Sequence, residues 1–273
     1  MTQVVANAAG VRWKLDELCE DADEARSRYA ELVTWAGEIA ERYRGRVGEL
    51  DASGLAGLLD ELDGFEQAHA RVHFYCLSRE HTQASDPEAN DLATFSRDRD
   101  SELQSRLVFA EVEWVAVEDE RAEELMASWE LAGYRHKLER ARAEKPYVLS
   151  EAEEQALNAR RPVVSAWQTL HGKQLATVEV PFDAGDGVEP HTIDKLLSYA
   201  HRPDRELRRR ALNAVYDALE PRAEVLAAAY DAVVGDRLST DRLRGYEHPM
   251  AATHLANELD LVRPRRWHEV VQQ

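Results

Sequence analysis

The chain has 273 residues, 52 acidic and 34 basic, for a net charge of −18 with histidine neutral. A charge of that sign repels phosphate backbones and anionic membrane surfaces, which argues against nucleic acid and membranes as partners. With 44% hydrophobic residues and no long apolar run, the composition is that of a soluble protein able to bury a substantial core rather than of a membrane-spanning one.

The opening residues, Met1-Thr2-Gln3-Val4-Val5-Ala6-Asn7, lack the basic flank and long apolar stretch of a secretory signal, so a cytoplasmic location is expected. From about Ala22 to Val47, residues Tyr29, Leu32, Trp35, Ile39 and Tyr43 recur at steps of three and four, which predicts a first long helix ended by Gly45 and Gly48. Asp51 to Ser53 offer caps for a second, with Leu55, Leu58, Leu59 and Leu62 on its inner face, continuing past Phe65 into Phe74, Tyr75 and Leu77. Ser85-Asp86-Pro87 stops that helix and starts the next. The stripes Leu92, Phe95, Leu103, Leu107, Val108, Val112, Val115, Leu125 and Trp129 carry the helical pattern towards Leu138. Pro146 closes the following basic segment, and Ser150 with Glu153 forms an S-x-x-E capping box for a new helix. The period changes in Leu175 to Phe182, where apolar and polar residues alternate before the turn residues Asp183-Ala184-Gly185-Asp186-Gly187 and a second short run, Val188 to Ile193. After Asp194 helical stripes return, with Leu196, Leu197, Tyr199, Leu207, Leu212, Val215, Tyr216, Leu219, Val225, Leu226, Tyr230, Val233 and Val234. The expected fold is all-α, a multi-helix array with one small β-hairpin near residues 175–193. Its expected organisation is an N-terminal helical region over 1–160, a helical region with the inserted hairpin over 161–260, and an atypical tail over 261–273.

Several segments together resemble a known family. Tyr134-x3-Leu138, a basic run, Leu149-Ser150 and Glu153-Glu154 follow one another as in the N-terminal half of the oligoendopeptidase F group of thimet-type (M3) zinc peptidases. Trp13-Lys14-Leu15-Asp16-Glu17-Leu18 resembles that family's opening segment, Pro203 to Ala211 its arginine-rich helix start, and Asp241 to Met250 its arginine-glycine-tyrosine loop. The resemblance implies that residues 161–260 begin the peptidase-like domain, and that this half forms one wall of a channel in which a C-terminal half cuts short peptides. It also implies zinc for a complete member, held by H-E-x-x-H with the glutamate activating water. No such pentapeptide occurs in this sequence. The nearest approach, His268-Glu269-Val270-Val271-Gln272, puts a neutral amide where the second ligand belongs and reads as coincidence. The turn from acidic helix to the basic Leu261-Val262-Arg263-Pro264-Arg265-Arg266-Trp267 fits a shifted reading frame, an artificial end or a natural tail alike.

The remaining constellations have plainer structural explanations. His69-x3-His73-x2-Cys76 puts three zinc-type donors on one helical face, with Glu80 or His81 nearby, but they span about two turns and cannot converge without a partner element. Packed, satisfied histidines are the expectation. Arginines 202, 205, 208, 209 and 210 crowd a helix start; ion pairing with neighbouring acidic helices is expected over capture of a peptide carboxylate. Asp183 to Gly187 is a turn rather than a calcium loop, and His201-Arg202-Pro203-Asp204 lacks the companions of a kinase loop. Trp13, Trp35, Trp114, Trp129 and Trp167 are expected mostly in the core, and Cys19 and Cys76 as buried small hydrophobes. The reading therefore assigns no catalytic residue, no metal ligand, no cofactor in this chain and no named substrate contact. Its partners are short peptides, met together with a catalytic half or a separate catalytic chain. The rival reading is a stand-alone, non-enzymatic helical binding or scaffold protein derived from the same family.

Overall fold

The computed structural model describes residues 13–83 and 86–259. The atypical tail, the His268 pentapeptide and Trp267 lie outside those residues. Asp21 caps the first helix, α1 (Ala22–Tyr43), by accepting the Glu24 amide, and Gly45, at φ 78°, turns the chain out of it. Val47, expected at the helix end, instead sits in a short 3-10 turn. Asp51 caps α2 (Ala52–Thr82), and Asp86 caps α3 (Pro87–Leu107) with its proline in the first turn. Shorter helices follow: α4 (Phe109–Ala116), α5 (Asp119–Met126) and α6 (Arg135–Ala143). The Ser150–Glu153 capping box is formed in both directions and opens α7 (Glu151–Ala176).

α7 contains Pro162 and does not break there. A proline nitrogen cannot donate to the carbonyl four residues back, so the Asn158 oxygen loses its helical partner. The Ser101 hydroxyl of α3 takes its place at 2.6 Å, inside the protein. This substitution joins α3 to α7 and lets the helix run through residues 158–161, where a regional boundary was expected.

Strands β1 (Glu179–Asp183) and β2 (Val188–Thr192) pair antiparallel, with Val180 opposite His191 and Phe182 opposite Glu189. Leu175 and Ala176, read as strand, finish α7 instead, because the alternation there overlaps the last helical turn. At the hairpin tip Asp183 Oδ1 accepts the amides of Gly185 and Gly187, both at positive φ. The expected turn is therefore built around its first aspartate. Helices α8 (Ile193–Ser198), α9 (Arg205–Leu219), α10 (Ala223–Arg244) and α11 (Ala251–Ala256) complete the described chain. The fold is all-α with one small hairpin, as the periodicity implies.

Two hydrophobic clusters organise the array. The larger packs α1, α2 and α3 on one another and extends through Phe109, Trp114, Leu125, Leu131 and Leu138. The smaller gathers Val178, Phe182, Ile193, Leu196, Tyr199, Ala211 and Val215 where the hairpin meets α8 and α9. α7 joins the two along the chain and packs on α3 and on α10.

Burial corrects the stripes in places. Phe74, on the expected inner face of α2, is exposed, and Trp129 is 82% exposed rather than in the core, as are Trp13 and, to a lesser degree, Trp167. Leu197, Leu212, Tyr216, Val225 and Tyr230 are exposed too, so the apolar stripes of α8 to α10 are only partly covered.

Candidate functional site

The basic segment of α6 is spent on tethering. Arg142 donates to the carbonyls of Trp114 and Val117, and Lys145 pairs with Asp119 at 2.7 Å. Tyr134 donates to Asp60 and Lys137 pairs with Asp63, which fixes α6 to α2. The capping helix that follows is then held from the far side. Arg244 grips Glu154 with two parallel bonds of 2.6 and 2.7 Å and donates to the Tyr147 carbonyl at 3.0 Å. Gly245, left-handed at φ 78°, ends α10 and aims Tyr246 back so that its ring stacks on Tyr147 at 4.2 Å. Two motif segments that lie far apart in sequence, Tyr147 to Glu154 and Arg244 to Tyr246, thus form one clamp. Burial alone would raise the Glu154 carboxyl, but the Arg244 and Leu149 hydrogen bonds and the Arg244 charge hold it below its ordinary value. Arg244 is correspondingly raised, mainly by its hydrogen bond to Glu154.

An open groove of about 700 Å³ runs between the hairpin and the start of α9. Lys195 and Arg202 line it together with Asp186, Glu189 and Asp204, so both signs of charge face one trough. Its wall includes Tyr199, whose hydroxyl meets His191 Nε2 at 2.9 Å. Of the arginine cluster only Arg202 lines this groove. Among the described residues three of the others bond locally instead of to neighbouring acidic helices: Arg209 pairs with Glu206 on its own helix, Arg208 donates to the Arg202 and Pro203 carbonyls, and Arg210 donates to the Asp183 carbonyl. The spacing put them on several faces, and the nearest acceptors were local.

The histidine stripe of α2 does find a partner element. Asp100 of α3 lies between the two imidazoles, 2.7 Å from His69 Nε2 and 2.8 Å from His73 Nδ1. Tyr29 of α1 donates to the same carboxylate at 2.8 Å and meets Ser96 at 2.7 Å. Burial would raise the Asp100 carboxyl, yet hydrogen bonds from His69, His73 and Tyr29 and the nearby His73 charge hold it at about 2. Burial opposes protonation of His69, but Asp100 outweighs it and raises the imidazole. Cys76 does not join this group. It is buried, with the thiol pushed up to about 12, chiefly by that burial. Asp100 was missed in the sequence although a signal existed: Ser96 and Asp100 interrupt the apolar stripe Ala89, Leu92, Ala93 and Leu103 on the buried face of α3.

The architecture has known counterparts. Residues 113–179, from within α4 to the first residue of β1, match the family model described as Oligopeptidase F. Over that segment the chain is similar to oligopeptidase F. Its fold overlays a crystal structure of oligoendopeptidase-F from Enterococcus faecium with a TM-score of 0.74 at 16% identity, covering 88% of this chain and 48% of that one. A peptidase candidate from Chlamydophila abortus gives a TM-score of 0.58 at 13% identity, over 96% of this chain and 45% of that one. The chain thus spans about half the length of these solved relatives. No curated protein matches it. The matched segment contains the capping box and Glu154 but neither the opening tryptophan segment nor the Arg244 loop, which the fold comparison alone can reach.

Proposed function

We propose that this chain is the N-terminal, non-catalytic portion of an oligoendopeptidase F-like zinc metalloendopeptidase that cleaves short peptides, and that it forms part of the substrate-channel wall. The observation that carries this reading is the family match over 113–179, inside a fold that overlays about half of an oligoendopeptidase-F chain. The sequence contains no H-E-x-x-H, so no zinc-dependent step is assigned to its residues. Its contribution is steric and electrostatic. A wall of packed helices admits extended peptides and refuses folded proteins, and the groove beside the hairpin offers Lys195 and Arg202 to carboxylates and Asp186 and Glu189 to ammonium groups.

The division into a region over 1–160 and a peptidase-like region from 161 onward belongs to the same proposal. It is supported by the separation of the two hydrophobic clusters on either side of α7. A cytoplasmic setting is proposed as well; no helix among the described residues is long and apolar enough to cross a membrane.

The stand-alone scaffold reading requires a surface that is finished by itself. Leu212 and Tyr216, one turn apart on α9, are exposed, as are Val225 and Tyr230 on α10, which favours a further contact over a surface finished by itself. The test is to translate all three frames of the source DNA beyond codon 273. An H-E-x-x-H followed by a downstream glutamate on a helical pattern supports the proposal. A sequence with no such motif hands the reading to the scaffold protein, with a separate catalytic chain as the remaining enzymatic arrangement.

A further inference from the structure

His69, His73 and Asp100 bring three metal-type donors together from two helices. Each imidazole approaches a different oxygen of one carboxylate, and the three donor atoms lie within 4.8 Å of one another. His73 Nδ1 is sheltered from solvent and lies 2.8 Å from Asp100 Oδ2.

We propose that His69 Nε2, His73 Nδ1 and the Asp100 carboxylate form a binding site for a divalent ion of the zinc class. Two imidazoles and one carboxylate are borderline donors that suit zinc and its first-row neighbours rather than calcium or magnesium. Histidines at i and i+4 on α2 present one face, and α3 supplies the third ligand that a single helix could not. Donors around a common tetrahedral zinc stand about 3.3 Å apart. With either carboxylate oxygen as the ligand, its short nitrogen–oxygen pair opens by about half an ångström and no donor pair closes by more than about 1.5 Å, movements within reach of side-chain rotation.

The surroundings fit a metal site. Tyr29 holds the carboxylate from behind at 2.8 Å, and Glu66 stands 4.0 Å from His69 Nδ1, on the side where a metal-bound imidazole directs its N–H. His73 is about one-third exposed, which gives an ion a way in and leaves a fourth coordination position towards solvent. This site is independent of H-E-x-x-H and of the proposed channel role.

The experiment is zinc titration of untagged, chelator-stripped protein by calorimetry, with cobalt as a spectroscopic probe of a nitrogen–oxygen site. The expected result is one ion per chain and a zinc-induced rise in melting temperature. His73→Ala and His69→Gln should each weaken binding at least tenfold and abolish the rise. A His248→Ala/His254→Ala variant, which removes another neighbouring histidine pair, should leave both unchanged. Each variant's fold is checked by its unfolding transition without metal, and His73→Ala, at the exposed edge, is the one expected to keep it. Wild-type protein that binds no zinc, or binding that survives His73→Ala in folded protein, overturns the proposal and leaves a histidine–aspartate–histidine hydrogen-bonded bridge.

Discussion

Replacing Arg244 with methionine tests whether the two motif segments are held together as described. The Arg244 side chain is 22% exposed and that of Glu154 10%, so the pair is screened far less than a surface ion pair. Removing the guanidinium costs two bonds to the carboxylate and one to the Tyr147 carbonyl, and leaves a buried negative charge with only the Leu149 amide at 3.1 Å. Breaking a buried pair from one side costs about 3–5 kcal/mol; with Arg244 partly wet, about 2–4 kcal/mol is expected. A second substitution, Glu154→Leu, removes the stranded charge. The double variant should therefore be more stable than Arg244→Met alone, a coupling that the sum of single effects would miss. Urea unfolding measures both, and hydrogen exchange in α7 and α10 shows whether the loss is local. Because the Glu154 carboxyl is lowered in the folded state, its contribution is complete above its ordinary value of 4.5 and is lost as pH falls through the lower folded value. The difference between wild type and Arg244→Met should thus be constant near neutrality and shrink under acid. An Arg244→Met protein within about 0.5 kcal/mol of wild type, or a double variant no better than the single, refutes the clamp.

Three further outcomes follow from the fold. Ser101→Ala strands the Asn158 carbonyl and should cost about 1–3 kcal/mol, whereas Pro162→Ala restores a helical amide and should relieve much of that loss in the double variant, as read by denaturant midpoints. Ser150→Ala removes one half of the capping box and should cost about 1 kcal/mol, seen as earlier fraying of α7 in hydrogen exchange. Cys19 and Cys76 are buried thiols raised by that burial, so neither should react with a thiol reagent in folded protein and both should react after denaturation; prompt reaction of either one contradicts the described core.

Local chemistry was readable along the chain. Asp51, Asp86 and Ser150 act as the caps their positions imply, and Asp183 with Gly185 and Gly187 makes the expected turn, because each of these devices is complete within a few residues. What spacing could not give is which apolar side chain meets a neighbour. Trp129 and Tyr216 fit a helical stripe as well as Trp114 and Val215 do, yet only the latter pair is buried. Pro162 would end a helix on local rules, and only Ser101 from another helix compensates for it. The histidine stripe of α2 showed two members of its cluster and a false third, Cys76, since the ligand-like partner Asp100 sits on α3. Likewise the Tyr147 to Glu154 and Arg244 to Tyr246 segments were each visible as motifs, while their stacking and ion pairing are a property of the packed helices.

In the proposed role this chain supplies a wall and not the chemistry. The most direct measurement is cleavage of a mixture of short unstructured peptides by the purified 273-residue chain, with and without equimolar zinc, followed by mass spectrometry. The account predicts intact peptides in both conditions, even if zinc binds at His69, His73 and Asp100. Cleavage that a chelator abolishes and zinc restores would contradict it.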